Sequence, residues 1–398
     1  MLVHFLPLPL ILQFHVGSLE SFPHLENVLL SLQHHDRVRS ISVYGWGLGN
    51  LSATRKVLTA LDKAFPTLES LSLRSGNSYT TRGLPDNFVA PQLRSLHLGN
   101  IAISASSLLM THATNVITLQ IEQFPPFGDS NPRNLVMLFT SLPQLESLFI
   151  SFSFSFTPMA TREHTQVTRV VLPRLWRFKY QGHIGYLESL LALINTPHLQ
   201  YFHVACFCRP AFSFSSMSEV VGTIQNLHFQ TAEVSINLED VHIAFHSSQP
   251  SVSLPSFTFA FRPIHSPSES APMAQVFGAI PALPSVHDLV LKSEQKICTD
   301  HWYSILQLFA GVRTLRTDVS LLTDVSHALR QSNGEVMKEL LPMLSELVVV
   351  SKDELVDGPI VLFIHELRLI GHHIDLRVIK QHPPPNPRLH VLHMFSIF

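Results

Sequence analysis

In FPTLESLSL, residues 65–73, leucines stand at Leu68, Leu71 and Leu73, relative positions 1, 4 and 6, and a proline lies two places before the first of them. Positions 4 and 6 are two apart, so in an extended chain both point to one side of a strand, while position 1 anchors the turn leading into it. The phrase returns as APQLRSLHL (90–98), ATNVITLQI (113–121), LPQLESLFI (142–150), LPRLWRFKY (172–180) and TPHLQYFHV (196–204). Further copies are LPSVHDLVL (283–291), FAGVRTLRT (309–317) and LPMLSELVV (341–349), and two more read upstream as FPHLENVLL (22–30) and HDRVRSISV (35–43). Counted between first apolar positions, successive copies are 25 (68 to 93), 23 (93 to 116), 29 (116 to 145), 30 (145 to 175) and 24 (175 to 199) residues apart.

A period of roughly 20–29 residues is that of leucine-rich repeats. One such strand cannot bury its apolar side alone, whereas parallel stacking of neighbours builds a continuous core. Between the phrases the spacing turns helical. LSATRKVLTALDKAF (51–65) brings Leu51, Val57, Leu58, Leu61 and Phe65 onto one stripe, with Ser52 as N-cap. Further helices are predicted over 186–195, 217–224, 301–310, 320–331 and 360–370. The expected fold is therefore α/β, an irregular leucine-rich-repeat solenoid or horseshoe with short parallel strands and connecting helices. A doubly wound sheet would also bury its strands, but as near-continuous apolar runs that repeat no phrase.

Residues 1–20 form an apolar segment expected to be extended and packed on the first repeat. The solenoid spans 21–380 and a Pro-rich tail follows over 381–398. Within the solenoid the rhythm degenerates at about 206–284, where VSINL (234–238), VHIAF (241–245) and FTFAF (257–261) still alternate like strands.

Hydrophobic residues make up 45% of the 398 and mean hydropathy is +0.21, ample for a large core. Twenty-seven Lys and Arg against 29 Asp and Glu leave a net charge of −2 with no basic run, which argues against nucleic acid as a partner. Cys206, Cys208 and Cys298 are too few and too uneven for a disulfide framework, and point to a reducing, cytoplasmic or nuclear, location. The apolar stretch 2–16 lacks the basic start and small-residue cleavage site of a secretory signal, and no run reaches the roughly 18 apolar residues of a membrane span.

Chemistry-bearing patterns are sparse. His34 with His35, His372 with His373, and Cys206 with Cys208 have no second ligand pair at metal spacing, and His365-Glu366 lacks the following histidine of a zincin. GWGLGN (45–50) has glycines at the wrong spacing for a dinucleotide loop and reads as a turn between repeat strand and repeat helix. No nucleophile elbow, phosphate loop or paired-acid motif occurs. No metal, no cofactor and no catalytic residue is expected, and the chain is read as a non-enzyme. A strand that turns positions 4 and 6 inward turns the residues beside them outward. The face so defined carries Arg74, His97, Gln120, Phe149, Arg177, Lys179, Tyr201, His203, Lys292 and Arg316, the expected concave protein-binding surface.

The stretches HHDRVRSISVYG (34–45), KAFPTLESLSLRS (63–75), LPDNFVAPQLRSLHLGNI (84–101) and LPRLWRFKYQGHIGYLESLLALINTPHL (172–199) resemble the repeat region of the large F-box proteins of mushroom-type basidiomycete fungi. The last is the most specific, and the resemblance covers roughly residues 20–380. In that family an N-terminal F-box docks onto the adaptor of a cullin-type ubiquitin ligase and the repeats present substrates. The resemblance therefore implies a non-catalytic protein-interaction module of the substrate-recognition kind, whose partner protein is unknown. Residues 1–40 hold no recognisable F-box, so adaptor docking is carried over to no residue and is expected only with an F-box upstream. Most copies also lack the asparagine that caps each turn of regular repeats. Two other readings stand beside this one: an α/β enzyme with an unrecognised active site, and a repeat fragment of an innate-immunity-type receptor.

Overall fold

The structure is a computed structural model that describes residues 8–15, 22–46, 51–75, 83–102, 107–122, 131–152, 169–208, 215–224, 229–237, 241–247, 257–263, 285–293, 299–330, 340–351, 364–365 and 373–380. In each well-formed copy the proline of the phrase sits second in a tight turn. Leu68 N–H donates to Phe65 O at 3.3 Å, Leu93 to Ala90 at 3.1 Å, Leu145 to Leu142 at 3.1 Å, Leu175 to Leu172 at 3.3 Å and Leu199 to Thr196 at 3.2 Å. Pro66, Pro91, Pro143, Pro173 and Pro197 each fill the place where a fixed φ near −65° suits the turn and no N–H is needed. The chain then passes straight into a short strand.

These strands pair in parallel and in register. The contacts of the chain divide into two compact units, residues 1–227 with 254–266, and residues 228–253 with 267–398. Numbered along the chain, the first unit orders β1 (Leu10–His15), β2 (Val38–Trp46), β3 (Ser70–Ser75), β4 (Ser95–Gly99), β5 (Thr118–Glu122), β6 (Ser147–Ser151), β8 (Arg177–His183), β10 (Tyr201–Cys208) and β13 (Phe257–Pro263) side by side. A separate two-residue pair, β7 (Val170–Val171) with β9 (Ile194–Asn195), lies outside that sheet. Position 4 of the phrase forms one continuous row, Ile41, Leu71, Leu96, Leu119, Leu148, Phe178, Phe202 and Phe257. Position 6 forms another, Val43, Leu73, Leu98, Ile121, Ile150, Tyr180, Val204 and Phe259, and every member of both rows is buried. The leucine row gives way to stacked rings, with centroids 5.5 Å apart for Phe178 and Phe202 and 5.7 Å for Phe202 and Phe257. This turn, phrase and parallel ladder make the unit leucine-rich-repeat-like.

Between these strands run α1 (Phe22–Gln33), α2 (Leu51–Ala60), α3 (Leu108–His112), α4 (Pro132–Thr140), α5 (Ile184–Leu191) and α6 (Ser215–Ile224). The helix α4 starts at Asn131, whose side chain accepts from Arg133 N–H at 2.9 Å, with a proline in the first turn. The stretch FPHLENVLL, expected as a strand phrase, lies within α1. Val28 and Leu32 are buried four residues apart, the helical period, while Leu30 is 56% exposed, so the apparent strand spacing loses to a helical stripe. Of the apolar N-terminal segment, Leu10–His15 form an edge strand that pairs with β2, buries Leu12 and leaves Ile11 72% exposed, and residues 1–7 and 16–20 lie outside the described residues.

In the second unit the order is β12 (Val241–Ser247), β11 (Phe229–Ile236), β14 (Asp288–Ser293), β15 (Thr314–Asp318), β16 (Glu346–Ser351) and β17 (Asp375–Lys380). Its position-4 row runs Ala232, Leu289, Leu315, Leu347 and Leu376. Its helices are α7 (Thr299–Leu306), which continues into a 3₁₀ turn over Gln307–Phe309, and α8 (Val319–Arg330). The strands were expected to be parallel; β11 and β12 instead form an antiparallel hairpin, Val234 opposite Ile243, because only four residues, 237–240, separate them and a parallel return needs a crossover. The predicted helix over 360–370 and the tail 381–398 lie largely or wholly outside the described residues.

Candidate binding face

Alternation along the first unit's strands leaves one sheet face covered and the other open: β3, β5 and β8 read half-buried then buried, residue by residue. Register aligns the open residues into rows. The middle row, position 5 of the phrase, is Ser42, Ser72, His97, Gln120, Phe149, Lys179 and His203, and it ends in Thr258, which is buried. Position 7 gives Tyr44, Arg74, Gly99 and Glu122. Position 3 ends in Ser147, Arg177 and Tyr201. Of the ten predicted face residues, Arg74, His97, Gln120, Phe149, Arg177, Lys179, Tyr201 and His203 thus share this one face.

The first part of the face is a polar network centred on Glu122. The Arg74 guanidinium pairs with Glu122 Oε2, Gln120 Nε2 donates to Glu122 Oε1 at 2.5 Å, and His97 Nε2 stands 3.5 Å from the same oxygen, at ion-pair distance but off hydrogen-bond alignment. Arg74 is on β3 and Glu122 on β5, so the guanidinium must cross β4. It crosses over Gly99, where an added Cβ would stand 3.0 Å from Arg74 Cγ. Burial alone would raise the Glu122 carboxyl, but His97, Arg74 and Gln120 together outweigh it and hold the group below its ordinary value. Just beyond Gly99, Asn100 takes the left-handed conformation at φ 56° and its amide donates to Ser75 O at 2.9 Å, one place before the position of the turn-capping asparagine of regular repeats, which is Ile101.

Ser72 Oγ lies 3.4 Å from Tyr44 Oη and 3.1 Å from His97 Nδ1, so the network continues from Glu122 through His97 to β3, with the donor in the imidazole contact set by the tautomer. Hydrogen bonds from Ser42 and Ser72 lower the Tyr44 phenol from its ordinary value.

The second part of the face is basic and aromatic. Lys179 Nζ stands 4.9 Å over the centre of the Phe149 ring, and the Arg177 guanidinium 5.1 Å over that of Tyr201. Among the described residues neither cation has an ion-pair partner. Burial, and then the charge of Arg177, lower the Lys179 ammonium from its ordinary value, with Glu122 acting in the opposite direction.

Lys292 and Arg316 belong to the second unit. Lys292 is engaged with Glu233 at 2.8 Å, and Arg316 is exposed in register with Val290 and Val348. Among the members of the first unit's face that were not foreseen are Tyr44, Ser72 and Glu122, which build the polar network. Each occupies the offset of a residue that was, Ser72 that of His97, and Tyr44 and Glu122 that of Arg74, so applying one offset to every copy finds them. Among the described residues no three His, Cys, Asp or Glu side chains gather to hold a metal ion, and no helix is long and apolar enough to cross a membrane.

No family model matches the chain, and no curated protein matches it. Among solved structures it is similar to the leucine-rich repeat-containing protein LegL7 from Legionella pneumophila, with 14% identity and a TM-score of 0.33 over 89% of this chain and 97% of that one. A likeness of that degree carries no argument, and the leucine-rich-repeat character rests on the turns and the register of the strands.

Proposed function

We propose that the chain is a non-catalytic protein-interaction module that binds its partner on the open sheet face of the first unit. The observation that carries the reading is the alignment of polar and aromatic side chains into rows on a face whose reverse holds the core. Arg, Tyr, Phe and His crowd this face, and aromatic residues and Arg are enriched where proteins meet. A reducing, cytoplasmic or nuclear, setting belongs to the same reading, and rests on the cysteine usage. The resemblance to fungal F-box proteins extends it further: the partner is then a substrate delivered to a ubiquitin ligase. Recovery of the ligase adaptor from cells that express the full-length natural protein tests that extension.

The face itself is tested by obstruction. Ser70→Trp, Ser95→Trp and Ser147→Trp each set a bulky ring on the open side of a different strand and leave the inward rows untouched. Partner proteins captured from native cells, and identified by mass spectrometry, are expected to be lost with at least one of these variants while thermal unfolding stays close to that of the parent. Capture of the same partner by all three at parental yield overturns the reading.

A further inference from the structure

Within that reading, which this inference assumes, the basic and aromatic part of the face selects its ligand more narrowly. Arg177 and Lys179 sit two apart on one strand and on one side of it, so their positions are about 7 Å apart along β8. Each charged end lies over a ring on a flanking strand, Lys179 over Phe149 on β6 and Arg177 over Tyr201 on β10. The neighbouring carboxylate, Glu122, is already engaged by Arg74, His97 and Gln120. Two like charges thus stand close together, Lys179 partly out of water, and neither has an ion-pair partner among the described residues.

We propose that this patch is a docking site for an acidic peptide segment of a partner protein, bound in extended form with acidic side chains two residues apart. The spacing is the argument. An extended chain repeats its same-side residues at the interval that separates Arg177 from Lys179, so one acidic side chain meets each cation in a single register. Arg177 offers a planar fork for a carboxylate and Lys179 a point charge. Contact with the rings restricts both cations before binding, which reduces the ordering that binding would otherwise require. An anion between the two also relieves the repulsion that now disfavours the charged form of Lys179.

The probes are labelled peptides with a central Glu-Ala-Glu, its neutral counterpart Gln-Ala-Gln, and Glu-Glu-Ala, in which the two acids fall on opposite sides. Fluorescence anisotropy with the full chain is expected to rank Glu-Ala-Glu first, with binding that weakens as salt is raised. Arg177→Glu combined with Lys179→Glu is expected to weaken it about tenfold or more. Arg174→Glu, on the exposed turn before β8, changes net charge off the face and is expected to leave it unchanged. If the double reversal unfolds the protein, Arg177→Gln combined with Lys179→Gln serves, with loss of the salt dependence as its readout. Equal affinity for Glu-Ala-Glu and Gln-Ala-Gln, or parental affinity in either double variant, overturns the inference. Should the tryptophan variants abolish partner capture while the charge variants retain it, the acidic segment is wrong and the binding face stands. Loss of capture on charge reversal, with Glu-Ala-Glu preferred, supports both.

Discussion

At the residue scale the face and the core answer to different forces. Leu148 is fully buried in the middle of the position-4 row, with Leu119 and Phe178 on either side. Leu148→Ala is expected to cost about 2–5 kcal/mol in chemical denaturation, the range for emptying a leucine site that can only partly collapse. Glu122 is a polar counterpart. Its carboxyl is held below the ordinary value of 4.5, so its contribution is complete above that pH and is lost as pH falls through the depressed folded value. Urea titrations from pH 7 to pH 3 should therefore show parent and Glu122→Gln converging at the acid end, with the parent ahead at neutral pH. A gap that widens on acidification would contradict the network around Arg74 and His97. The burial of Leu148 was legible from the phrase alone. The role of Glu122 was not, because its partners lie on other strands: Arg74 is 48 positions away in the chain (122 minus 74), and only the register of β3, β4 and β5 brings them together.

At the element scale, strands were easier to read than helices. The phrase couples apolar spacing with a proline-bearing turn, two signals that agree, and strands appear wherever both occur except at FPHLENVLL. FPHLENVLL shows what happens when they agree by accident: the same letters fit a helix, and burial of Val28 with Leu32 decides the matter. Helix α3 passed unnoticed because five residues carry too little periodicity to register, and α4 was not predicted either. Helix α6 illustrates how such short pieces are secured. Glu188, on α5, accepts from the N–H groups of Ser216 and Met217 at 2.8 and 2.9 Å, so one helix caps the next. Burial raises the Glu188 carboxyl despite these donors. A raised folded pKa means the neutral form suits the site, and its stabilisation fades as pH rises through that value. Glu188→Gln, neutral and still an acceptor, is expected to be tolerated at pH 7, whereas Glu188→Ala should cost about 1 kcal/mol by thermal unfolding. An alanine variant as stable as the glutamine one would remove the cap from the account.

At the scale of the whole molecule, each unit is a row of neighbours, so protection should fall toward its open edge. In the first unit β1 ends the row and leaves Ile11 bare; in the second β17 does, with Leu376, Val378 and Ile379 at 37%, 45% and 40% exposure. Amide exchange is expected to be faster in β1 than in β4 to β6, and faster in β17 than in β14 and β15. Uniform protection within a unit would mean that it opens as one block. The parallel rows of each unit were foreseen from the recurring phrase, while the β11–β12 hairpin was not, since it arises from the shortness of one connection and not from any apolar pattern. The alternation of covered and open rows along strands such as β3 and β5 also has a consequence for descent. Rungs on the open side can be rewritten one at a time without disturbing the inward rows, and connecting stretches can lengthen or shrink without shifting either. A lineage carrying this scaffold can therefore change what it recognises through single codon changes at positions 3, 5 and 7, keeping a folded protein at each step.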